Sequence, residues 1–86
     1  MSKTVEIYTM DYCPYCIRAK NLLDKKNVAY TEHRVDRDPA CLDEVVKRSG
    51  GRTTVPQIFV DGVHIGDCDE IHALEKKGKL DALLDL

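Results

Sequence analysis

"DYCPYC", residues 11–16, holds two of the four cysteines of this 86-residue chain, with two residues between them. The segment follows an alternating apolar stretch and precedes a helical pattern, so the pair lies at a strand-to-helix junction. Pro14 fits the first position of that helix, where its missing N–H is not needed. The free N–H groups and dipole of a helix N-terminus favour an anion, and a cysteine thiolate is such an anion. Cys13 is therefore predicted to be the ionised, nucleophilic thiol.

Cys16 follows one helical turn later, on the face that carries the apolar residues of the helix. We therefore expect it to be less exposed and less ionised than Cys13. Helix N-termini and Cys-x-x-Cys motifs lower a cysteine pKa from about 8.5 to roughly 3.5–7.5. Cys16 is in position to attack a mixed disulfide formed at Cys13 and to release the substrate as a thiol.

Two other interpretations of the cysteine pair remain open. Zinc needs about four ligands, and the other cysteines, Cys41 and Cys68, are isolated in the sequence. The histidines that would complete a zinc site are His33, His64 and His72. Each is explained more simply as a surface or strand-face residue, so no metal is expected. A permanent structural disulfide would close a very short loop and would constrain the unfolded chain little.

Length and composition limit the remaining classes of protein. Eighty-six residues with 43% hydrophobic residues fit a single domain, residues 1–86, with one compact core. A net charge of −2 without long basic runs argues against a nucleic-acid partner. No signal peptide or membrane span is recognisable, so we expect a cytoplasmic protein whose thiols are kept reduced.

The periodicity predicts an α/β fold in the order β-α-β-α-β-β-α, with a short helix at the end. The predicted strands are 4–8, 29–35, 57–60 and 63–65, and the helices begin at Pro14, at Pro39 after the N-cap Asp38, and after Asp67. Leu42, Val45 and Val46 are expected to form the apolar stripe of the second helix. A two-residue Asp-Gly turn joins the last two strands. The result is a four-stranded mixed sheet flanked by helices, with strand 29–35 at an edge.

Three segments in this order resemble the glutaredoxins, and in particular the small bacterial dithiol class of the glutaredoxin-3 type. They are "YTMDYCPYC", "TVPQIFV" and "HIGDCDE", and the resemblance extends over the whole chain. It implies a thioredoxin-like fold and glutathione-dependent reduction of protein disulfides and glutathione mixed disulfides. It also implies that Cys13 accepts the glutathionyl group, while Cys16 is needed for protein disulfides and dispensable for deglutathionylation.

The resemblance also implies a glutathione site. The Val55-Pro56 bond should be cis, and the Val55 backbone should pair with the cysteine part of glutathione. N–H groups near Cys68 should bind the γ-glutamyl carboxylate, and Asp69 the γ-glutamyl ammonium. The residues predicted to bind glutathione are Tyr15, Thr54, Val55, Pro56, Cys68 and Asp69, with Arg37 and Arg52 as candidate contacts of the glycine carboxylate.

Two positions depart from the family pattern. Met10 stands where a lysine is common, so we expect a less depressed Cys13 pKa and weaker glutathione binding than in lysine-bearing relatives. Asp67 stands where a glycine is usual. It either caps the third helix or points a negative charge into the groove. Of the remaining thiols, Cys68 is expected to be an inert packing residue. Cys41 is expected to be either buried or open to glutathionylation.

Other functions are weighed against this one. A thioredoxin-like redoxin served by a flavoprotein reductase would not need a glutathione cleft. A non-enzyme alternative is a [2Fe–2S] carrier, in which two chains share a cluster through Cys13 and glutathione. The expected partners are glutathione and disulfide-containing or glutathionylated proteins, with ribonucleotide reductase as a family expectation, and the chain is expected to be a monomer.

Overall fold

The predicted order of strands and helices is confirmed in a computed structural model, which describes residues 3–86. The elements are β1 (Val5–Thr9), α1 (Pro14–Lys25), β2 (Thr31–Arg34), α2 (Pro39–Arg48), β3 (Gln57–Val60), β4 (Val63–Gly66), α3 (Cys68–Lys76) and α4 (Leu80–Leu83). Residues 1 and 2 of the predicted domain lie outside the described part of the chain. Most predicted boundaries agree within one residue, but β2 is shorter than the predicted 29–35.

The four strands form one mixed sheet in the order β2-β1-β3-β4. β1 pairs in parallel with β2 and antiparallel with β3, where Ile7 lies opposite Ile58. β3 and β4 form an antiparallel hairpin through Asp61 and Gly62, which both have positive φ values, as a two-residue turn of this kind requires. The charged strand β2 lies at an edge, as predicted.

Both faces of the sheet are covered. On one face, α1, α3 and α4 pack on alternate residues of β1 and β3, including Ile7 and Ile58. On the other face, Tyr8 and Phe59 pack against α2. β1 therefore buries side chains on both sides, and its carboxyl end leads directly to the Cys13 turn.

The predicted apolar stripe of α2 is partly wrong. Val45 is buried and Val46 is half-buried, but Leu42 is exposed and Cys41 occupies the core position instead. Cys41 and Val45 are four residues apart, so they lie on one face of the helix, and Leu42 is rotated away from it. This burial agrees with the first of the two outcomes expected for Cys41.

The caps of the helices are the predicted ones. Asp38 caps α2 through the N–H of Ala40 at 3.0 Å, and Asn27, just past the end of α1, has a φ of 58°. Asn is one of the few non-glycine residues that adopts this left-handed conformation readily.

Candidate active site

Cys13 is the N-cap residue of α1. Its backbone is extended, Pro14 occupies the first turn, and its Sγ accepts a hydrogen bond from the backbone N–H of Cys16 at 3.1 Å. The sulfur therefore takes the place of the side-chain oxygen that usually caps a helix. A negative charge on this atom is stabilised by the N–H group and by the helix dipole. The predicted position of Cys13 at the start of α1 is confirmed, and its role as nucleophile stays a prediction.

Cys16 lies inside the core, with 1% of its surface exposed. It forms a disulfide with Cys13 in this structure. Their Cα atoms are 5.2 Å apart, which is within the range found for disulfides. The two thiols thus differ as predicted, because Cys13 is half-buried at the helix terminus and Cys16 faces inward. A dithiol of this kind can alternate between two free thiols and one disulfide.

A cavity of about 350 Å³ lies beside this pair. Its lining residues are Tyr15, Thr54, Val55, Pro56, Asp67, Cys68 and Asp69. All six residues predicted to bind glutathione are therefore brought together, and Asp67 joins them. Their roles in binding remain predictions.

The loop before β3 supplies one wall of the cavity. The Val55-Pro56 peptide bond is cis, as the resemblance implied. The carbonyl oxygen of Val55 lies 3.9 Å from Cys13 Sγ, so the nucleophile is at the edge of this wall.

The N-terminus of α3 supplies the opposite wall. Asp67 caps the helix by accepting a hydrogen bond from the N–H of Glu70 at 2.9 Å. Glu70 accepts one in return from the N–H of Asp67 at 3.2 Å. This is the predicted capping box. The alternative in which Asp67 caps the third helix is therefore confirmed, and Asp67 is also one of the residues that line the cavity.

Neither arginine proposed for the glycine carboxylate lines the cavity. Arg37 is exposed in the turn before α2. Arg52 is half-buried and forms ion pairs with Glu70 and, at 3.7 Å, with Asp67. The contacts with the glycine carboxylate stay predictions, and the ion pairs of Arg52 were not foreseen.

A buried glutamine that was not predicted as a functional residue supports the cavity loop. Gln57 is fully buried at the start of β3. Its amide donates to the carbonyl oxygen of Thr54 at 3.1 Å, and its oxygen lies 2.7 Å from His64 Nε2. Burial lowers the pKa of His64, which favours a neutral ring that donates its Nε2–H to Gln57. A polar residue inside an otherwise apolar strand, "QIFV", was the available signal.

The two remaining cysteines are buried thiols. Cys68 lies at the cavity with 2% of its surface exposed, and Cys41 lies under α2 with 8% exposed. Burial raises the pKa of both thiols, so both are poor nucleophiles. His72 Nδ1 lies 2.7 Å from the backbone oxygen of Cys68 and 3.5 Å from its sulfur. Cys68 therefore matches the inert packing residue that was predicted.

Within residues 3–86, no three His, Cys, Asp or Glu side chains are grouped closely enough to hold a metal ion. Among the same residues, none of the helices has the length and apolar character needed to cross a membrane.

Comparison with known proteins identifies the family. The glutaredoxin family model matches residues 5–65, and glutaredoxin 3 of Escherichia coli is 56% identical over 80 residues, which cover 93% of this chain and 95% of the relative. The chain belongs to the glutaredoxin family. The chain is therefore a thiol–disulfide oxidoreductase, and the catalytic role of its cysteine pair stays a prediction.

Solved structures of glutaredoxins agree with this assignment. The solution structure of glutaredoxin from Brucella melitensis has a TM-score of 0.83 and 48% identity, and covers 96% of this chain and 89% of that one. A crystal structure of a buckwheat glutaredoxin–glutathione complex has a TM-score of 0.86 and 30% identity, and covers 96% of this chain and 77% of that one. The thioredoxin-like fold expected from the sequence is confirmed.

Proposed function

We propose that this glutaredoxin uses glutathione to reduce protein disulfides and glutathione mixed disulfides through Cys13 and Cys16. The observation that carries the proposal is the position of Cys13 Sγ, which caps α1 and lies 3.9 Å from the Val55 carbonyl at the cavity edge. A helix-stabilised thiolate beside a cavity of tripeptide size suits a reaction with the thiol of a peptide.

Glutathione would lie in the cavity in an extended conformation between its two walls. Its cysteine backbone would pair with the main chain of Val55 like an added strand, which brings its sulfur to Cys13. Its γ-glutamyl carboxylate would meet the free N–H groups at the N-terminus of α3. Asp69, in the first turn of α3, would hold the ammonium group. Tyr15 and Thr54 would line the sides.

The reaction on a glutathione mixed disulfide takes two exchanges. The Cys13 thiolate attacks the glutathione sulfur, a disulfide forms between Cys13 and glutathione, and the substrate leaves as a thiolate that takes up a proton. The thiolate of a second glutathione then attacks the same glutathione sulfur. Oxidised glutathione leaves, and the Cys13 thiolate is regenerated.

A protein disulfide requires the second cysteine. Cys13 attacks one sulfur of the client and forms a mixed disulfide, and the other client sulfur leaves as a thiolate. Cys16, adjacent to Cys13, then attacks Cys13 Sγ after losing its proton and releases the reduced client. Two glutathione molecules return the Cys13–Cys16 disulfide to the dithiol and become oxidised glutathione.

The test is turnover of a small glutathione mixed disulfide with glutathione, NADPH and glutathione reductase. Cys13→Ser should abolish turnover, and Cys16→Ser should retain it while losing activity on a protein disulfide. Turnover that depends on a thioredoxin reductase and not on glutathione would contradict the proposal. So would activity in the Cys13→Ser variant.

The clients, the compartment and the oligomeric state are proposed from the resemblance to the family. Clients would be disulfide-cycling enzymes such as ribonucleotide reductase, and the protein would act as a cytoplasmic monomer. Sedimentation of the reduced protein with and without glutathione tests the monomer, and a stable dimer would contradict it.

A further inference from the structure

The two walls of the cavity come from separate parts of the chain. Thr54 and Val55 lie in the loop before β3, whereas Asp67 and Asp69 lie at the N-terminus of α3. The whole β3–β4 hairpin separates them in sequence. Arg52, two residues before Thr54, connects the two walls through its side chain.

Arg52 contacts both carboxylates of the capping box. Its Nη1 forms a short ion pair with Glu70 Oε1, and its Nη2 donates to Glu70 Oε2 at 3.3 Å. The same Nη1 lies 3.7 Å from Asp67 Oδ2. One guanidinium group therefore faces the two side chains that define the first turn of α3.

The N-terminus of α3 carries several negative charges, which is unusual for a site that binds an anion. Asp67, Asp69 and Glu70 place three carboxylates at the N-cap and in the first turn. Arg52 holds the pKa of the Glu70 carboxyl below its usual value, so this group stays ionised. Without a cation, these charges would oppose an incoming carboxylate. The single positive charge of Arg52 lies close to two of the three carboxylates and offsets part of their negative charge.

We propose that Arg52 is a positioning residue for glutathione, which compensates the charges of Asp67 and Glu70 so that the N-terminus of α3 can accept the γ-glutamyl carboxylate. The inference rests on the proposed function. It replaces a direct contact of Arg52 with the glycine carboxylate, because the guanidinium is already engaged by two carboxylates of the protein.

The first test measures the KM for glutathione and kcat of Arg52→Gln in the coupled assay. The KM should rise roughly 3- to 10-fold, as expected for loss of a partly exposed charge interaction, with kcat little changed because Cys13 is untouched. Lys47→Gln is the control: it removes the same charge from an exposed position on α2, and its KM should equal that of the native chain.

The second test removes the two opposing negative charges without removing the cap. Asn caps helices as well as Asp, and Gln can replace Glu in a capping box. Adding Asp67→Asn and Glu70→Gln to Arg52→Gln should therefore bring the KM down to the native value or below it, because both opposing charges are gone. Asp67→Asn alone should lower the KM below it. Circular dichroism melting confirms that each variant is folded.

These outcomes separate the inference from the proposed function. An unchanged KM in Arg52→Gln, a raised KM that the two amides do not relieve, or a KM of Asp67→Asn that does not fall would each overturn the role of Arg52. Failure of the native chain to turn over with glutathione would instead overturn the proposed function, and with it the inference.

Discussion

Cys13 Sγ lies 3.1 Å from the backbone nitrogen of Cys16 and accepts its hydrogen bond. The nucleophile is thus held by the first turn of the helix that carries its partner thiol. The same helix turns Cys16 into the core, where 1% of its surface is exposed. One local feature, a helix that begins at Pro14, therefore places one sulfur where a thiolate is favoured and the other inside the core.

A lysine at position 10 should stabilise the thiolate form of Cys13. Met10 is exposed, immediately before the turn that leads to Cys13, and supplies no charge. Met10→Lys should lower the Cys13 pKa by roughly 0.3–1 unit, because a cation nearby favours the charged form of the thiol. It should also lower the KM for glutathione. Met10→Gln is the neutral control, and equal pKa values in the two variants would contradict the expectation.

Stability should fall in acid through Glu6. Hydrogen bonds from Arg48, and then from His33, hold the pKa of the Glu6 carboxyl at about 2, against an ordinary value of 4.5. A depressed carboxyl pKa stabilises the fold above the unfolded value, and this stability is lost as the pH falls from about 4.5 towards 2.

The corresponding variant is Glu6→Gln. At pH 7 it should lower the free energy of unfolding in urea by about 1–3 kcal/mol, because Arg48 loses its partner in a half-buried site. The difference from the native chain should shrink as the pH is lowered towards 2. Glu44→Gln, on the exposed side of α2, is the control. A difference that does not depend on pH would contradict the role given to Glu6.

Gly66 should be intolerant of a side chain. Its φ is 137°, and a Cβ at this position would come 2.5 Å from the Cβ of Glu70. Gly66→Ala should therefore displace Glu70 from the capping box, lower the free energy of unfolding by about 1–3 kcal/mol and raise the KM for glutathione.

Gly78→Ala is the matched control, since Gly78 also has a positive φ, of 73°, but has open space around its Cβ position. It should lose some stability and leave the KM unchanged. Equal KM values for the two alanine variants would show that the displacement of Glu70 does not affect the cavity.

Local sequence patterns predicted the features that depend on near neighbours. The Pro14 start of α1, the Asp67–Glu70 capping box and the Asp61–Gly62 turn each follow from residues that lie within a few positions of one another. The inward orientation of Cys16 follows from the 3.6-residue period.

Features that depend on packing between elements were not predictable in this way. Leu42 has the right period for the core, but the orientation of α2 on the sheet places Cys41 there instead. Arg52 pairs with Glu70 of α3, and Gln57 pairs with His64 of β4. No local sequence pattern specifies either partner. The site was recognised because three motifs matched a family, while the ion pairs that support it required the fold.

The most direct test of the account is the pKa of Cys13 in the reduced, folded protein. Alkylation by iodoacetamide, followed across pH by mass spectrometry of the Cys13 peptide, measures it. We expect a Cys13 pKa of roughly 3.5–7.5, with Cys16, Cys41 and Cys68 reacting only after unfolding. A Cys13 pKa near the free-cysteine value of about 8.5, or a Cys13 that reacts no faster than the three buried thiols, would contradict it.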